Sequence, residues 1–255
     1  MSAPPRRVLI TGAGSGIGAQ LSELLSRAGH TVVVTDLDAT AAEGVAERLN
    51  AAGGAVSSAG LDVANAGEVN ALVEAAGPID VLVNNAGLQH VSLLEHFPTA
   101  TWQHIVNVLL LGPALMTRAV LPGMRARGFG RIVNIGSVHS LVASPFKSAY
   151  VAAKHGLLGL SKTVALEVAD VDITINTICP AYVHTPLVDK QIAAQAREHG
   201  LAPEEVINTI MLKPMPKKVF ITTDEIAALA LFLMSDAARN ITAQAIAIDG
   251  GWTAQ

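Results

Sequence analysis

An α/β fold, a parallel sheet of about seven strands covered by helices on both faces, is what the sequence predicts, on three observations. Short β-branched runs alternate with longer alanine- and leucine-rich segments, the pattern of a doubly wound sheet. The first run, RVLIT, enters a glycine-rich turn, GAGSGIG, that opens into a helix, as a Rossmann-type βαβ unit begins. The 255 residues are 51% hydrophobic and 15% charged, so the chain can bury a large core as a single domain, 1–255, without staples.

Strands are expected at 7–11, 31–35, 56–61, 79–83, 131–136, 173–178 and 244–248. After the first, Gly12, Gly16 and Gly18 permit a tight turn and close approach of the backbone to a pyrophosphate. The N-terminus of the next helix, expected from about Ala19 to Ala28, favours that charge. The same glycines also suit a plain strand-to-helix connector. The second run, HTVVVTD, ends at Asp36, eighteen residues past Gly18, where an acidic residue accepts hydrogen bonds from ribose hydroxyls. A carboxylate there repels a 2′-phosphate, so the cofactor expected is NAD rather than NADP; the other reading is an Asp that caps the following helix. The stretch 186–218 breaks the alternation with a polar helical pattern and then KPMPKK. Lying after the sixth strand, it reads as a small helical lid over the site, or else as a surface insertion. Cys179, the single cysteine, falls in the strand-like run ITINTIC and reads as a buried, inert thiol.

The chemistry is concentrated in SVHSLVASPFKSAYVAAK, Ser137 to Lys154. Tyr150 and Lys154 stand four apart on a predicted helix, so an ammonium beside the phenol is expected to pull its pKa down from about 10. Ser137, thirteen residues earlier at the end of RIVNIGS, is placed to hydrogen-bond the same oxygen. Together the three suit proton transfer between an alcohol and a carbonyl; alone, a Tyr/Lys pair also decorates many solvated helix faces. Gln89, His90, His139, Lys147 and Gln191 form a further polar set suited to a small anion. If the backbone stays extended past Ser137, His139 points to the same side, and Lys147 projects from the helix entrance. Each of these also has a plain solvated reading.

A net charge of −4 provides no basic patch, so a nucleic-acid partner is not expected. The start, MSAPPRR, lacks the apolar core of a signal, and no stretch is expected to approach the roughly eighteen apolar residues of a membrane span. No metal is called for. The expectation is a cytoplasmic enzyme acting on a small molecule.

TGAGSGIG, NNAG at Asn84 to Gly87, Ser137, and YVAAK from Tyr150 to Lys154 together resemble the classical short-chain dehydrogenase/reductase family, over essentially the whole chain. The resemblance implies a cofactor held by Gly12, Ser15, Gly16, Ile17 and Gly18 in the turn, by Asp36, and by Asp62 and Val63 at the adenine. It also implies roles for Asn84, Ala86 and Gly87, for Tyr150 and Lys154, and for Val183 and Thr185 at the nicotinamide amide. Within the family, NNAGLQH, GSVHSLVASPFKSAYVAAKHG, ICPAYVHTPLVDKQI and DGGWTAQ are similar to the D-3-hydroxybutyrate dehydrogenases. That subgroup implies reversible, NAD-dependent oxidation of a short hydroxy acid to acetoacetate in a homotetramer, with Tyr150 as general base and Ser137 at the substrate oxygen. Its carboxylate-binding set maps onto Gln89, His139, Lys147 and Gln191, with Tyr182 and Trp252 at the pocket.

Three departures stand out. Tyr182 replaces a Trp, Ala181 the Gly of a CPG turn, and Leu109 the family's catalytic Asn, which holds a water linking the Lys to solvent. Asn107 is no substitute, since two steps along a helix turn a side chain by about 200°. The departures leave two alternatives open: a dehydrogenase or reductase of another short hydroxy acid, keto acid or ketone, and a low-turnover NAD-binding sensor or scaffold protein.

Overall fold

A computed structural model describes residues 4–185, 188–189, 192–193, 196–197 and 200–254. The β-branched runs become β1 (Arg7–Thr11), β2 (Thr31–Asp36), β3 (Ala55–Gly60), β4 (Val81–Asn84), β5 (Phe129–Ile135), β6 (Asp172–Pro180) and β7 (Ala245–Ile248). They pair in one sheet of order β3-β2-β1-β4-β5-β6-β7, every pairing parallel. The intervals hold α1 (Gly16–Arg27), α2 (Ala39–Ala51), α3 (Ala66–Ala76), α4 (Thr99–Val106), α5 (Gly112–Arg127), α6 (Ser148–Glu167), α7 (Pro203–Val206) and α8 (Thr223–Met234).

Period-two alternation sorts the strand residues onto the two faces. Val8, Ile10, Val32 and Val34 pack with Leu21 and Leu25 of α1, Leu49 of α2 and Leu233 of α8. Leu9, Val33, Leu82 and Ile132 pack with Val69 of α3, Ile105 of α4, Met116 of α5 and Val164 of α6. Burial on both faces explains why these strands read as continuous apolar runs. Each buried Val, Leu or Ile contributes about 1.5–3 kcal/mol relative to exposure.

Helix starts follow capping chemistry. Asp38 accepts the N–H groups of Thr40 at 3.0 Å and Ala41 at 3.3 Å to open α2. Asn65 does the same for α3, and Thr222 and Glu225 form a reciprocal capping box on α8. α1 opens at Gly16, earlier than expected near Ala19, because its hydrogen-bond ladder already begins in the glycine turn, where the Ala19 N–H donates to the Ser15 carbonyl at 3.2 Å.

The chain leaves β3 and crosses to β4 on the far side of β1, so β1 has neighbours on both sides. The loops after β1 and β4 therefore diverge at their carboxyl ends and open a crevice at this switch point.

One expectation is overturned. The run Thr99–Arg127, 29 residues with a window of mean hydropathy 1.6, is long and apolar enough to span a membrane by length and composition. Its apolar residues are interleaved with polar ones, so no unbroken apolar stretch marks it in the sequence. Half of that window is buried inside the fold, where α5 packs on β4 and β5. A π-helical turn, Asn107–Leu111, interrupts the run, closed by the Gly112 N–H donating to the Asn107 carbonyl.

Candidate active site

Close approach of two strand ends builds the crevice. Gly12 has φ +63°, and a Cβ on it would lie 2.6 Å from Cα of Ala86, so this contact requires glycine. The Thr11 hydroxyl accepts the N–H groups of Asn85 and Ala86, each at 3.1 Å. Asn85 Nδ2 donates in return to the carbonyls of Thr11 at 3.0 Å and Gly12 at 2.8 Å. Gly12, Ser15, Gly16, Ile17, Asp36, Asp62, Val63, Ala86, Gly87 and Thr185 all line this crevice. Gly18 lies behind it: a Cβ there would meet Asn85 Nδ2 and the Gly12 carbonyl at 2.6 Å, so its task is close packing. Ser15, the N-cap of α1, makes no side-chain cap bond, which leaves the first N–H groups of the helix suited to an anion.

Asp36 is fixed at the end of β2 by two backbone donors, Gly14 N–H to Oδ2 at 2.9 Å and Asp38 N–H to Oδ1 at 3.1 Å. The cap of α2 is Asp38, so Asp36 is not the capping residue. An anion-ready helix end, a carboxylate at the next strand end and an apolar wall at Val63 fit a nicotinamide dinucleotide.

A second cavity, of about 210 Å³, continues from the first and shares Ile17, Asn85, Gly87 and Thr185 with it. Ser137, Tyr150, Lys154, Gln89, His139, Lys147, Tyr182, Val183 and Trp252 line it. Ser137 follows β5 and caps a short 3₁₀ turn, Val138–Ser140: its Oγ accepts the His139 N–H at 3.1 Å, while Ser140 Oγ accepts the Ser137 N–H at 3.2 Å. The backbone is therefore not extended past Ser137. His139 enters the cavity by this turn, since capping favours a helical residue after Ser137.

Tyr150 and Lys154 project from one face of α6, with Lys154 Nζ 5.8 Å from the Tyr150 ring centroid. Nζ donates to the Ile135 carbonyl at 2.6 Å. Lys147 ends the entering loop and brings Nζ to 3.3 Å from His139 Nε2. Asp249 accepts from the N–H groups of Gly251 at 2.9 Å and Thr253 at 2.8 Å, bending the tail after β7 so that Trp252 reaches the cavity. Trp252 stacks on Tyr182, centroids 5.9 Å apart, and meets His139 edge-on at 5.7 Å.

The family model described as short chain dehydrogenase matches residues 6–196. The chain belongs to the short chain dehydrogenase family. Among curated relatives of this short chain dehydrogenase, a D-beta-hydroxybutyrate dehydrogenase of Rhizobium meliloti (strain 1021) is 46% identical, over 98% of this chain and 99% of its own. A protein of the same name from Cupriavidus necator is 43% identical, over 98% of each chain. A 3-oxoacyl-[acyl-carrier-protein] reductase of Thermotoga maritima is 34% identical, over 95% of this chain and 96% of its own. The dehydrogenase is thus an oxidoreductase of small molecules.

The electrostatics of the dehydrogenase's site differ from expectation at Tyr150. Burial pushes its phenol above the usual value, against the hydrogen bond from Ser137, and Lys154 does not reverse this. Burial also lowers Lys154, to about 8, so the ammonium that was to favour phenolate is itself weakened.

Two further proposed site residues, Asn84 and His90, do not reach the cavities. Asn84 points into the core, where its Nδ2 donates to Asn134 Oδ1 at 2.8 Å and Asn134 donates on to Ser161 at 2.9 Å. Its neighbour Asn85 lines both cavities instead, because alternation turns adjacent residues to opposite sides. His90 is exposed and packs edge-on to Phe97 at 5.1 Å. Gln191 lies outside the described residues. Leu109 is buried and lines the catalytic cavity, while Asn107 is exposed, facing away as expected. Val188 also lines the cavity; nothing in its local sequence signals this, since its place depends on a small separate core with Ile192, Val206 and Met211.

Proposed function

We propose that the protein oxidises D-3-hydroxybutyrate to acetoacetate, reversibly, with NAD. The observation that carries the reading is one cavity holding Ser137 and Tyr150 together with the ammonium of Lys147 and the amide of Gln89. A hydroxyl-and-phenol pair acts on an alcohol, and a half-buried lysine a few residues away holds a carboxylate. The names of the two D-beta-hydroxybutyrate dehydrogenases support the same substrate. Gly12, Ser15, Gly16, Ile17, Asp36, Asp62, Val63, Ala86, Gly87, Val183 and Thr185 would hold NAD, which supplies the hydride acceptor when bound.

The chain's own groups do the rest. Ser137 Oγ steadies the substrate's C3 oxygen, and Tyr150 Oη takes its proton. Lys154 stands one helical turn on, its Nζ 5.8 Å from the Tyr150 ring centroid and held on the Ile135 carbonyl. Lys147 and Gln89 hold the carboxylate, and Tyr182 and Trp252 close the apolar side. Fixing the carboxylate sets which face of C3 meets the hydride acceptor, so anion recognition determines stereochemistry. We place the whole chain in a single catalytic domain with the 186–218 segment as its lid, in a cytoplasmic homotetramer; exposed Leu111 and Leu166 on the α5 and α6 side support an interface between copies.

The test is NADH absorbance across short 3-hydroxy acids of both hands. Turnover of the D-3-hydroxybutyrate enantiomer above the others is expected. Preference for a different acid or ketone would favour the reading in which Tyr182, smaller than Trp, enlarges the pocket. No turnover at all would favour a binding protein, the reading for which Leu109 speaks.

A further inference from the structure

We propose that Ser161, with Asn134 behind it, is a positioning residue that pins α6 against β5 so that Tyr150 meets Ser137; this rests on the roles given to Tyr150 and Ser137 above, whichever hydroxy acid is the substrate. Apart from Lys154 and Ser161, the residues that α6 buries are small or apolar: Ala149, Ala153, Leu157, Val164 and Ala165. Contacts of that kind are non-directional, so they hold the helix down without fixing where it stands along its own axis. Hydrogen bonds from Ser161 and Lys154 supply the direction.

Around Ser161 these bonds run one way. Asn84 Nδ2 donates to Asn134 Oδ1 at 2.8 Å, Asn134 Nδ2 to Ser161 Oγ at 2.9 Å, and Ser161 Oγ to the Leu157 carbonyl at 2.7 Å. A hydroxyl has one proton and two acceptor sites. Ser161 gives its proton to Leu157, so Thr177, whose Oγ1 lies 3.2 Å away, donates in their contact, and all three sites of Ser161 are filled. Ser161 thereby ties α6 to β5 through Asn134 and to β6 through Thr177. Asn134, Ser161 and Thr177 are at most 2% exposed, where a hydrogen bond is electrostatically stronger than in water and a lost partner is costly.

The pin sits where it bears on the chemistry. Ser161 follows Lys154 by two helical turns and Tyr150 by three, spacings at which an α-helix returns to the same face. Asn134 lies one residue before Ile135, whose carbonyl accepts Lys154 Nζ at 2.6 Å, so α6 is tied at two heights to consecutive residues of β5. That strand leads directly into Ser137. An α-helix rises about 1.5 Å per residue, and a misplacement of about 1 Å costs on the order of a hundredfold in rate, so a slip of less than one residue would part Tyr150 from Ser137. The bond from Ser137 is also what opposes burial at the Tyr150 phenol, so loosening it raises that phenol further.

The test is Ser161→Ala, with Ser161→Thr as the variant that keeps the hydroxyl. With D-3-hydroxybutyrate, the alanine variant should lose about tenfold in kcat with KM for NAD within about twofold, and the threonine variant should stay within about threefold of wild type. A lower denaturant midpoint with kcat per folded molecule unchanged would overturn the proposal, since Ser161 would then serve packing alone. A second readout needs no turnover. The chain has two tyrosines, so ¹³Cζ spectra of tyrosine-labelled, ligand-free protein follow Tyr150 directly, with Tyr182→Phe identifying the other signal. The Tyr150 titration midpoint should rise by about half a pH unit or more in Ser161→Ala and hold in Ser161→Thr. An unmoved midpoint in the alanine variant would equally sink the pin. If that variant fails to fold, Thr177→Val, which removes only the 3.2 Å contact and keeps the side chain's shape, is read in the same way. A raised midpoint in a protein whose wild type turns over no short hydroxy acid removes the substrate reading and leaves the pin standing, whereas normal wild-type turnover with an unmoved midpoint does the reverse.

Discussion

Lys154 is a buried ammonium bonded to a backbone carbonyl, and Leu109 gives it no polar neighbour. In the proposed reaction the substrate oxygen is handled by Ser137 and Tyr150, to which Leu109 adds no polar group, so Leu109→Asn should change kcat by less than about tenfold, under about 1.4 kcal/mol. Tyr150→Phe should be nearly inactive, both read by NADH formation. A hundredfold gain in the asparagine variant would show that proton exit limits the natural chain. His139 carries a separate, thermodynamic prediction. Its pKa is lowered from 6.5 to about 4 on folding, so the unfolded chain binds the extra proton between those values. Stability should therefore be full above pH 6.5 and fall as pH drops toward 4, by up to about 3 kcal/mol, and His139→Leu should flatten that slope in urea titrations. At this scale Ser137, Tyr150 and Lys154 were legible because their spacing places them on one helix and one strand end. The direction of the Tyr150 shift was not, since burial depends on walls contributed by distant segments such as Trp252.

The turn between β1 and α1 works only at glycine at position 12, where both backbone conformation and contact with Ala86 forbid a side chain. Gly12→Ala should lower unfolding free energy by about 2 kcal/mol or more and weaken dinucleotide binding with it, measured by denaturant midpoint and by fluorescence titration of NADH. The proposed cofactor preference is tested at the end of β2. Asp36, pinned by two backbone donors, should give at least about a tenfold higher kcat/KM with NAD than with NADP, and equal efficiency would mean its carboxylate does not face the ribose. Strand positions were readable to within two residues because β-branched runs and their flanking caps are local signals. The entry of His139 was misread for an equally local reason: Ser137 serves as a cap, and a capped turn replaces the extension that alternation alone suggests. Asn84 was misassigned because the NNAG motif does not say which of two neighbouring asparagines faces the crevice.

Across the whole molecule, strand order creates the site: β1 and β4 become neighbours although β2 and β3 intervene in sequence, and the C-terminal Trp252 returns to a cavity begun at Ile17. Such closures span the chain, so sequence patterns name the participants without showing how they meet. The interface between copies should be visible as a tetramer mass in sedimentation at micromolar concentration; a monomer there would remove that assignment. The π-helical turn at Asn107–Leu111 has a consequence for how this chain tolerates change. It accommodates one residue more than an α-helical turn, so the halves Thr99–Val106 and Gly112–Arg127 are out of phase by about 100° relative to a continuous α-helix. Deleting a single residue there would mend the local hydrogen-bonding pattern and at the same time rotate one half against the sheet, carrying Leu109 off the cavity wall. A change that regularises the helix would thus be a frame error in three dimensions, and length at this point is under tighter constraint than side-chain identity.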